Sequence, residues 1–204
     1  MPERKKGLMI VVSGPAGSGK DTVLAELQGD ERFRRSVSAT TRAPRPGEVD
    51  GRDYHFITRE TFEQWIADGE MLEYTEYCGN YYGTPKKAAE AVMESGTNLI
   101  LKIEVEGAAN VERLYPEAVT IMLLPPTAAV LEARLRGRGT ESEEVIRTRL
   151  ARAREEVAHV KDYDYVVYNH DGRAAEAAEM IRRIVEVEGH STARNPHIAE
   201  AYFA

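Results

Sequence analysis

The run Gly14-Pro15-Ala16-Gly17-Ser18-Gly19-Lys20 follows directly on the apolar stretch Leu8-Met9-Ile10-Val11-Val12. A strand leading into G-x-x-x-x-G-K and then into a helix-like segment is the pattern of a phosphate-binding loop (P-loop). Successive backbone N–H groups and a new helix N-terminus form an anion nest there, and the lysine adds a mobile positive charge. The chemistry is capture of a nucleoside triphosphate, with Gly14, Pro15, Ala16, Gly17, Ser18, Gly19 and Lys20 as binding residues. A Ser or Thr hydroxyl that helps to hold Mg²⁺ usually follows the lysine. Here Asp21 stands in that place, with Thr22 one residue on. Both are expected at the metal side, acting largely through water and phosphates. The loop alone does not separate a kinase from a GTPase, a transporter ATPase or a motor.

A second set of residues narrows the choice. Arg42 and Arg45 flank a proline in Thr40-Thr41-Arg42-Ala43-Pro44-Arg45-Pro46-Gly47-Glu48, and tyrosines are near at Tyr54, Tyr81 and Tyr82. Two guanidiniums with two phenols suit a phosphate monoester, bound by bidentate and single hydrogen bonds together. A second arginine cluster runs through Arg134, Arg136 and Arg138 to Arg147, Arg149, Arg152 and Arg154. A solvated helix face accounts for that cluster equally well when it is taken alone. His55, His159, His170, His190 and His197 form no i, i+4 metal pair with an acid and have no evident nucleophile to activate.

These residues need elements to position them. Strand-like runs Leu8–Val12, Leu99–Val105, Val119–Leu124 and Tyr163–Tyr168 alternate with helix-period stretches, the βαβ signature of a mostly parallel sheet. Thr84-Pro85 reads as an N-cap with proline at the first helical position, and Gly96 closes that helix. Thr127 reads as another N-cap, and Thr140-Glu141-Ser142-Glu143 as a capping box opening a long helix to about Val160. Two segments break the rhythm. Residues 36–84 carry short β-like pieces (Tyr54–Ile57, Met71–Tyr77) around a helix near 59–68, with a turn at Gly79-Asn80, and residues 128–160 are helical and basic. Both read as insertions on one α/β core, and the tail from His190 reads as loosely ordered.

Composition bounds the rest. A chain of 204 residues, 42% apolar and 30% charged, suits one globular α/β domain. The net charge of −7 argues against a general nucleic-acid coat, since anions can bind only where arginines cluster. No apolar run approaches the ~20 residues of a membrane span, and Leu8–Val12 is too short for a signal-peptide core. The single Cys78 excludes an intrachain disulfide and a thiolate metal cluster. A cytoplasmic enzyme is the expectation.

The S-x-T-T-R-x-P-R-x-G-E segment from Ser38, the G-N-Y-Y-G-T segment from Gly79, the R-L-x-G-R-G-T-E-S-E-E segment from Arg134 and the P-loop together resemble the guanylate kinase family, over about residues 8–171. The resemblance implies a P-loop NTPase-type parallel sheet flanked by helices, with an inserted mixed α/β GMP-binding subdomain and a helical lid. The corresponding boundaries are 1–36, 87–127 and 160–204 for the core, 37–86 for the subdomain and 128–159 for the lid. It implies phosphorylation of GMP, and of dGMP, by ATP with Mg²⁺, in purine nucleotide metabolism. Nucleic acid and membrane are not among the implied partners, and a homodimer is compatible with a sequence that fixes no oligomeric state. Carried over by motif, Arg42, Arg45, Tyr54 and Tyr82 hold the GMP phosphate, and Ser38, Glu73, Thr84 and Glu104 read the base. Lys20, Arg42, Arg134, Arg138 and Arg149 neutralise charge in phosphoryl transfer, and Asn169 lies near the adenine. Guanine presents N1–H and an amino group as adjacent donors, which a carboxylate accepts together; adenine lacks both and would leave that carboxylate unpaired.

The chain departs from the family pattern at Lys102, where an acidic residue is usual, and at Glu106, where Gln is usual. With the acid at Asp21, one reading is a relocated carboxylate: Asp21 supplies the metal-side charge, and Lys102 pairs with it or with a phosphate. In a second, Lys102 reaches solvent and Mg²⁺ is held by phosphates and water alone. In a third, the site turns over weakly and the chain is a nucleotide-binding or protein-interaction module. A kinase acting on another phosphorylated ribose compound is a further alternative, which would not need Glu73 and Glu104.

Overall fold

The computed structural model describes residues 6–77, 79–137, 142–196 and 198–203. Arg138, Cys78, His197 and the first half of the expected capping box, Thr140-Glu141, lie outside the described residues. In chain order the elements are β1 (Met9–Ser13), α1 (Lys20–Ala25), β2 (Phe33–Arg35), β3 (Ala39–Thr40), β4 (His55–Phe56), α2 (Arg59–Ala67), β5 (Met71–Tyr77), β6 (Asn80–Pro85) and α3 (Lys86–Glu94). There follow β7 (Asn98–Lys102), α4 (Val105–Leu114), β8 (Val119–Leu124), α5 (Ala128–Gly137), α6 (Glu143–Ala158), β9 (Tyr165–Tyr168), α7 (Ala174–Gly189) and α8 (Ile198–Phe203).

A five-stranded sheet has the order β2-β7-β1-β8-β9, and its β2–β7 and β8–β9 pairs are parallel. A four-stranded mixed sheet has the order β4-β3-β6-β5. The expected α/β class, a parallel sheet flanked by helices, is what the chain forms. Every residue of β1 is buried, as are Leu99, Ile100 and Leu101 of β7 and Val119 to Leu123 of β8. Such continuous apolar runs are what strands covered on both faces require. Chain contacts divide the molecule into two compact units, one of the residues up to Val11 with Asp30–Ala118, the other of Val12–Gly29 with the residues from Val119 on.

In the first unit the short mixed sheet is set by register. Antiparallel pairing puts Glu73 opposite Thr84 and Thr75 opposite Tyr82, while Thr40 lies opposite Tyr82 on the other side of β6. The Thr58 side chain accepts from Thr61 N and caps α2, close to where the sequence places a helix. Thr84 does not cap α3 as expected. Pro85 is the N-cap, and the Thr84 hydroxyl faces across the sheet to a carboxylate that competes for it more strongly than a helix end. β7 ends at Lys102 rather than at Val105, because α4 begins at Val105 with Glu104 in the N-cap position, its side chain making no cap bond.

In the second unit Ser142 caps α6 with its side chain accepting from Val145 N, and Thr127 Oγ1 accepts from Val130 N at 3.3 Å before α5. Leu131, Leu135 and Ala153 form a small core between α5 and α6, with Leu150 packed on it. The tail is not loose: it forms a 3₁₀ turn at Thr192–Arg194 and then α8. Asn195 Nδ2 donates to the carbonyls of Gly189 and Ser191, and Arg194 Nε to Glu188 at 2.6 Å. Of these bonds, the one to Gly189 satisfies a carbonyl at the end of α7 that a bare helix terminus would leave without a partner. Their donors stand among polar residues with no periodic pattern.

Candidate active site

The P-loop in the second unit depends on glycines at three places. Gly14 has φ 144°, and a Cβ there would lie 2.2 Å from the Leu123 carbonyl oxygen of β8. Gly17, at φ 89°, rests against Leu131 and Leu135 of α5. Gly19 is the left-handed N-cap of α1, and a Cβ there would strike Asn169 Nδ2 at 2.3 Å. Side chains cannot enter these positions, so backbone amides line the loop. Ser18 N donates to the Pro15 carbonyl at 3.0 Å and closes the turn. The Lys20 ammonium donates to the Gly14 carbonyl and, at 3.5 Å, to that of Pro15.

Asp21 and Thr22 are exposed in the first turn of α1. An acid there is favoured by the helix N-terminus, and both side chains offer the hard oxygen atoms that Mg²⁺ prefers. Among the described residues no group of three or more His, Cys, Asp or Glu could enclose a metal ion. Two exposed oxygen-bearing side chains in one helical turn fit an ion whose other contacts come from phosphates and water.

Asn169 is buried at the end of β9, and its Nδ2 donates to the Ser18 carbonyl at 2.9 Å. Arg134, from the last turn of α5, reaches the same carbonyl and that of Gly17. The sequence thus names two residues that the fold brings to the P-loop, and at the loop they bond its carbonyls. Arg149 lies half-buried on α6. The rest of the basic cluster includes helix ion pairs: Arg136 with Glu132 and Glu143, and Arg152 with Glu156.

The first unit assembles most of the second candidate set. The Arg42 guanidinium lies over the rings of Tyr54, at 5.4 Å, and Phe56, at 5.7 Å. Tyr54 meets Tyr82 edge-on with ring centroids 6.1 Å apart. Glu48 holds Arg42 by two bonds, Nη1 to Oε2 at 2.8 Å and Nη2 to Oε1 at 2.9 Å, and its Oε2 also accepts from Arg45 N at 2.6 Å. That pairing raises the pKa of Arg42 and lowers that of Glu48. One carboxylate therefore sets the Arg42 side chain and the backbone that carries Arg45. The sequence reading gave Glu48 no role, although it closes the quoted R-x-G-E segment.

Glu73 is 4% exposed, and its Oε1 accepts from Thr84 Oγ1 at 2.8 Å. Burial pushes its pKa up to about 7, against the hydrogen bonds from Thr84, which lower it. A Cβ on Gly107, in the first turn of α4, would stand 3.1 Å from Glu73 Oε2, so the absent side chain leaves that oxygen its room. Tyr82 and Thr84 are two residues apart on β6, so they share a sheet face with their partners Thr75 and Glu73. Among the described residues, Ser38, Arg45 and Glu104 make no side-chain hydrogen bond to this group. Arg45 is exposed, and Glu104 is the N-cap of α4.

The chain is similar to known proteins along most of its length. The family model described as guanylate kinase matches residues 6–188. Guanylate kinase of Streptococcus thermophilus (strain CNRZ 1066) is 52% identical over 186 residues, 90% of this chain and 88% of that protein. Guanylate kinase of Streptococcus pyogenes serotype M3 (strain ATCC BAA-595 / MGAS315) is 51% identical over 90% of this chain and 87% of its own length. The crystal structure of guanylate kinase from Anaplasma phagocytophilum superposes with a TM-score of 0.74 at 32% identity, covering 94% of this chain and 90% of that one. With the family model matched over residues 6–188 and relatives about half identical along nine-tenths of its length, the chain belongs to the guanylate kinase family.

Proposed function

We propose that this chain transfers the γ-phosphoryl group of ATP to GMP, and to dGMP, giving ADP and the diphosphate. The observation that carries the reading is the shared face of the mixed sheet. There a buried carboxylate with a hydroxyl partner (Glu73, Thr84) stands two strand positions, about 7 Å, from the Tyr82 position that adjoins Tyr54 and Arg42. A nucleoside monophosphate with adjacent donors on its base meets both ends of that face. Arg42, Arg45, Tyr54 and Tyr82 take the phosphate; Glu73, with Ser38, Thr84 and Glu104, takes the guanine.

No general base is required, because the acceptor phosphate is already an anionic nucleophile. Its oxygen forms the new P–O bond as the bond to the ADP oxygen breaks. The protein's part is to align the two and to neutralise the charge spread over the transferred group. Lys20, Arg42, Arg138 and Arg149 supply that charge, the last two from a lid over 128–159 that closes on a core of 1–36, 87–127 and 160–204; Arg134, expected with them, instead donates to the Gly17 and Ser18 carbonyls. Mg²⁺ at the Asp21 and Thr22 side would polarise the phosphates when bound. In the relocated-carboxylate reading Lys102 balances Asp21, and the effects of Asp21→Ser and Lys102→Asp on turnover are then not independent. A cytoplasmic place in purine nucleotide metabolism completes the reading, with the homodimer as the assembly to look for.

A coupled ADP-release assay comparing GMP, dGMP, AMP, UMP and ribose phosphates tests it. Turnover with GMP and dGMP is expected; none with GMP overturns the function, and equal rates with AMP overturn the base recognition.

A further inference from the structure

Arg134 has no N–H left to give. Its Nε and Nη2 both donate to Asp171 Oδ1, at 2.9 and 2.7 Å, and Nη2 also to the Asn169 carbonyl at 2.8 Å. Its Nη1 donates to the Ser18 carbonyl at 3.2 Å and, most loosely, to that of Gly17 at 3.4 Å. A guanidinium carries five N–H groups, and all five face protein oxygens. An arginine that hydrogen-bonds a transferring phosphoryl group must keep an edge for it, and this one is committed to the loop that binds the phosphates.

The acceptors matter. In a planar trans peptide the C=O and N–H point in opposite directions. Holding the Ser18 carbonyl from outside, by Arg134 Nη1 and Asn169 Nδ2 together, turns the Gly19 N–H the other way, toward the inside of the loop. Gly19 is also where a side chain would collide with Asn169. The wall outside the loop is therefore built against the peptides whose amides the anion needs.

We propose that Arg134 is a brace for the P-loop and that Asp171 is the positioning residue that aims it. Asp171 binds two of the five N–H groups and fixes the guanidinium plane, and through that plane the Ser18–Gly19 peptide. Its side chain is 73% exposed while that of Arg134 is 20% exposed. Removing the Asp171 charge therefore costs the fold little, and the loss appears in the affinity for the triphosphate. The inference rests on the reading of the P-loop as the ATP site and not on GMP as acceptor.

The test measures binding of a non-hydrolysable ATP analogue with Mg²⁺ by calorimetry, beside steady-state kinetics, for Asp171→Asn, Asp171→Glu, Arg134→Ala and the Asp171→Asn/Arg134→Ala double variant. Asp171→Asn is expected to weaken the analogue and raise the ATP KM by about three- to tenfold. The GMP KM and the melting temperature stay as in the wild type. Asp171→Glu recovers most of the loss, and Asp171→Asn has no further effect once Arg134 is alanine. Unchanged analogue affinity, an equal rise in the GMP KM, or additive losses in the double variant each overturn the brace. A wild type that binds the analogue but does not phosphorylate GMP overturns the acceptor assignment and leaves the calorimetric test standing.

Discussion

Glu73→Gln removes a charge that the first unit holds against its own burial. The carboxyl is raised from its ordinary value of 4.5 to about 7 by desolvation, with Thr84 as its hydrogen-bond partner. Between those two values the folded state binds a proton that the unfolded state has lost, so stability falls as pH rises through the window. Below pH 4.5 both states are protonated and the group costs nothing. Above 7 the full cost is present, about 3 kcal/mol at about 1.4 kcal/mol for each pH unit between them. Glutamine keeps an oxygen for the Thr84 hydroxyl and carries no charge. Relative to wild type, the variant is therefore expected to gain about 3 kcal/mol more at pH 8 than at pH 4.5. Urea unfolding at the two pH values measures this, followed by the fluorescence of Trp65, the single tryptophan, which lies in α2 of the same unit. The same change costs GMP binding a carboxylate, and the GMP KM is expected to rise about ten- to hundredfold at pH 8. An equal stability difference at both pH values would refute the argument, because Glu73 would then not change its charge between them.

Thr84→Val preserves shape but takes the hydroxyl donor from the buried Oε1 of Glu73; a loss of about 1–3 kcal/mol in urea unfolding is expected. The carboxyl then titrates higher still, so the acid-side rise of the GMP KM begins at a higher pH than in wild type. Glu48→Gln breaks the two-bond hold on Arg42, and about a fivefold rise in the GMP KM at constant ATP KM is expected from steady-state kinetics. Gly14→Ala must place a Cβ 2.2 Å from the Leu123 oxygen at φ 144°. It is expected to cost at least about 2 kcal/mol in urea unfolding and to abolish binding of an ATP analogue in calorimetry.

The P-loop is legible in the chain because its requirement is local: Gly14, Gly17 and Gly19 take backbone angles that other residues avoid. The Ser142 cap and the helix near 59–68 are legible for the same reason. β2, three residues long at an edge of the large sheet, has no pattern of its own and exists through its pairing with β7. Thr84 reads correctly as a polar residue before a proline and wrongly as a cap, since its partner arrives from β5, eleven residues away. Asp171 and Glu48 carry no sequence signal beyond being acids near a motif. Their roles come from arginines in hand, one 37 residues away and one six.

The junction of β6 and α3 has a consequence for how this chain can change in length. Lys86 begins the helix directly after Pro85 ends the strand, so Thr84 and the helix share one continuous frame. An inserted residue between them would turn α3 by about 100° and carry Ala89 and Met93 out of their buried positions. The turn at Gly69, by contrast, is open, with nothing within 4 Å of where its Cβ would stand. Insertions should therefore accumulate between α2 and β5 and be purged between Thr84 and Lys86, a pattern of gaps that the bond from Thr84 to Glu73 imposes on its neighbours.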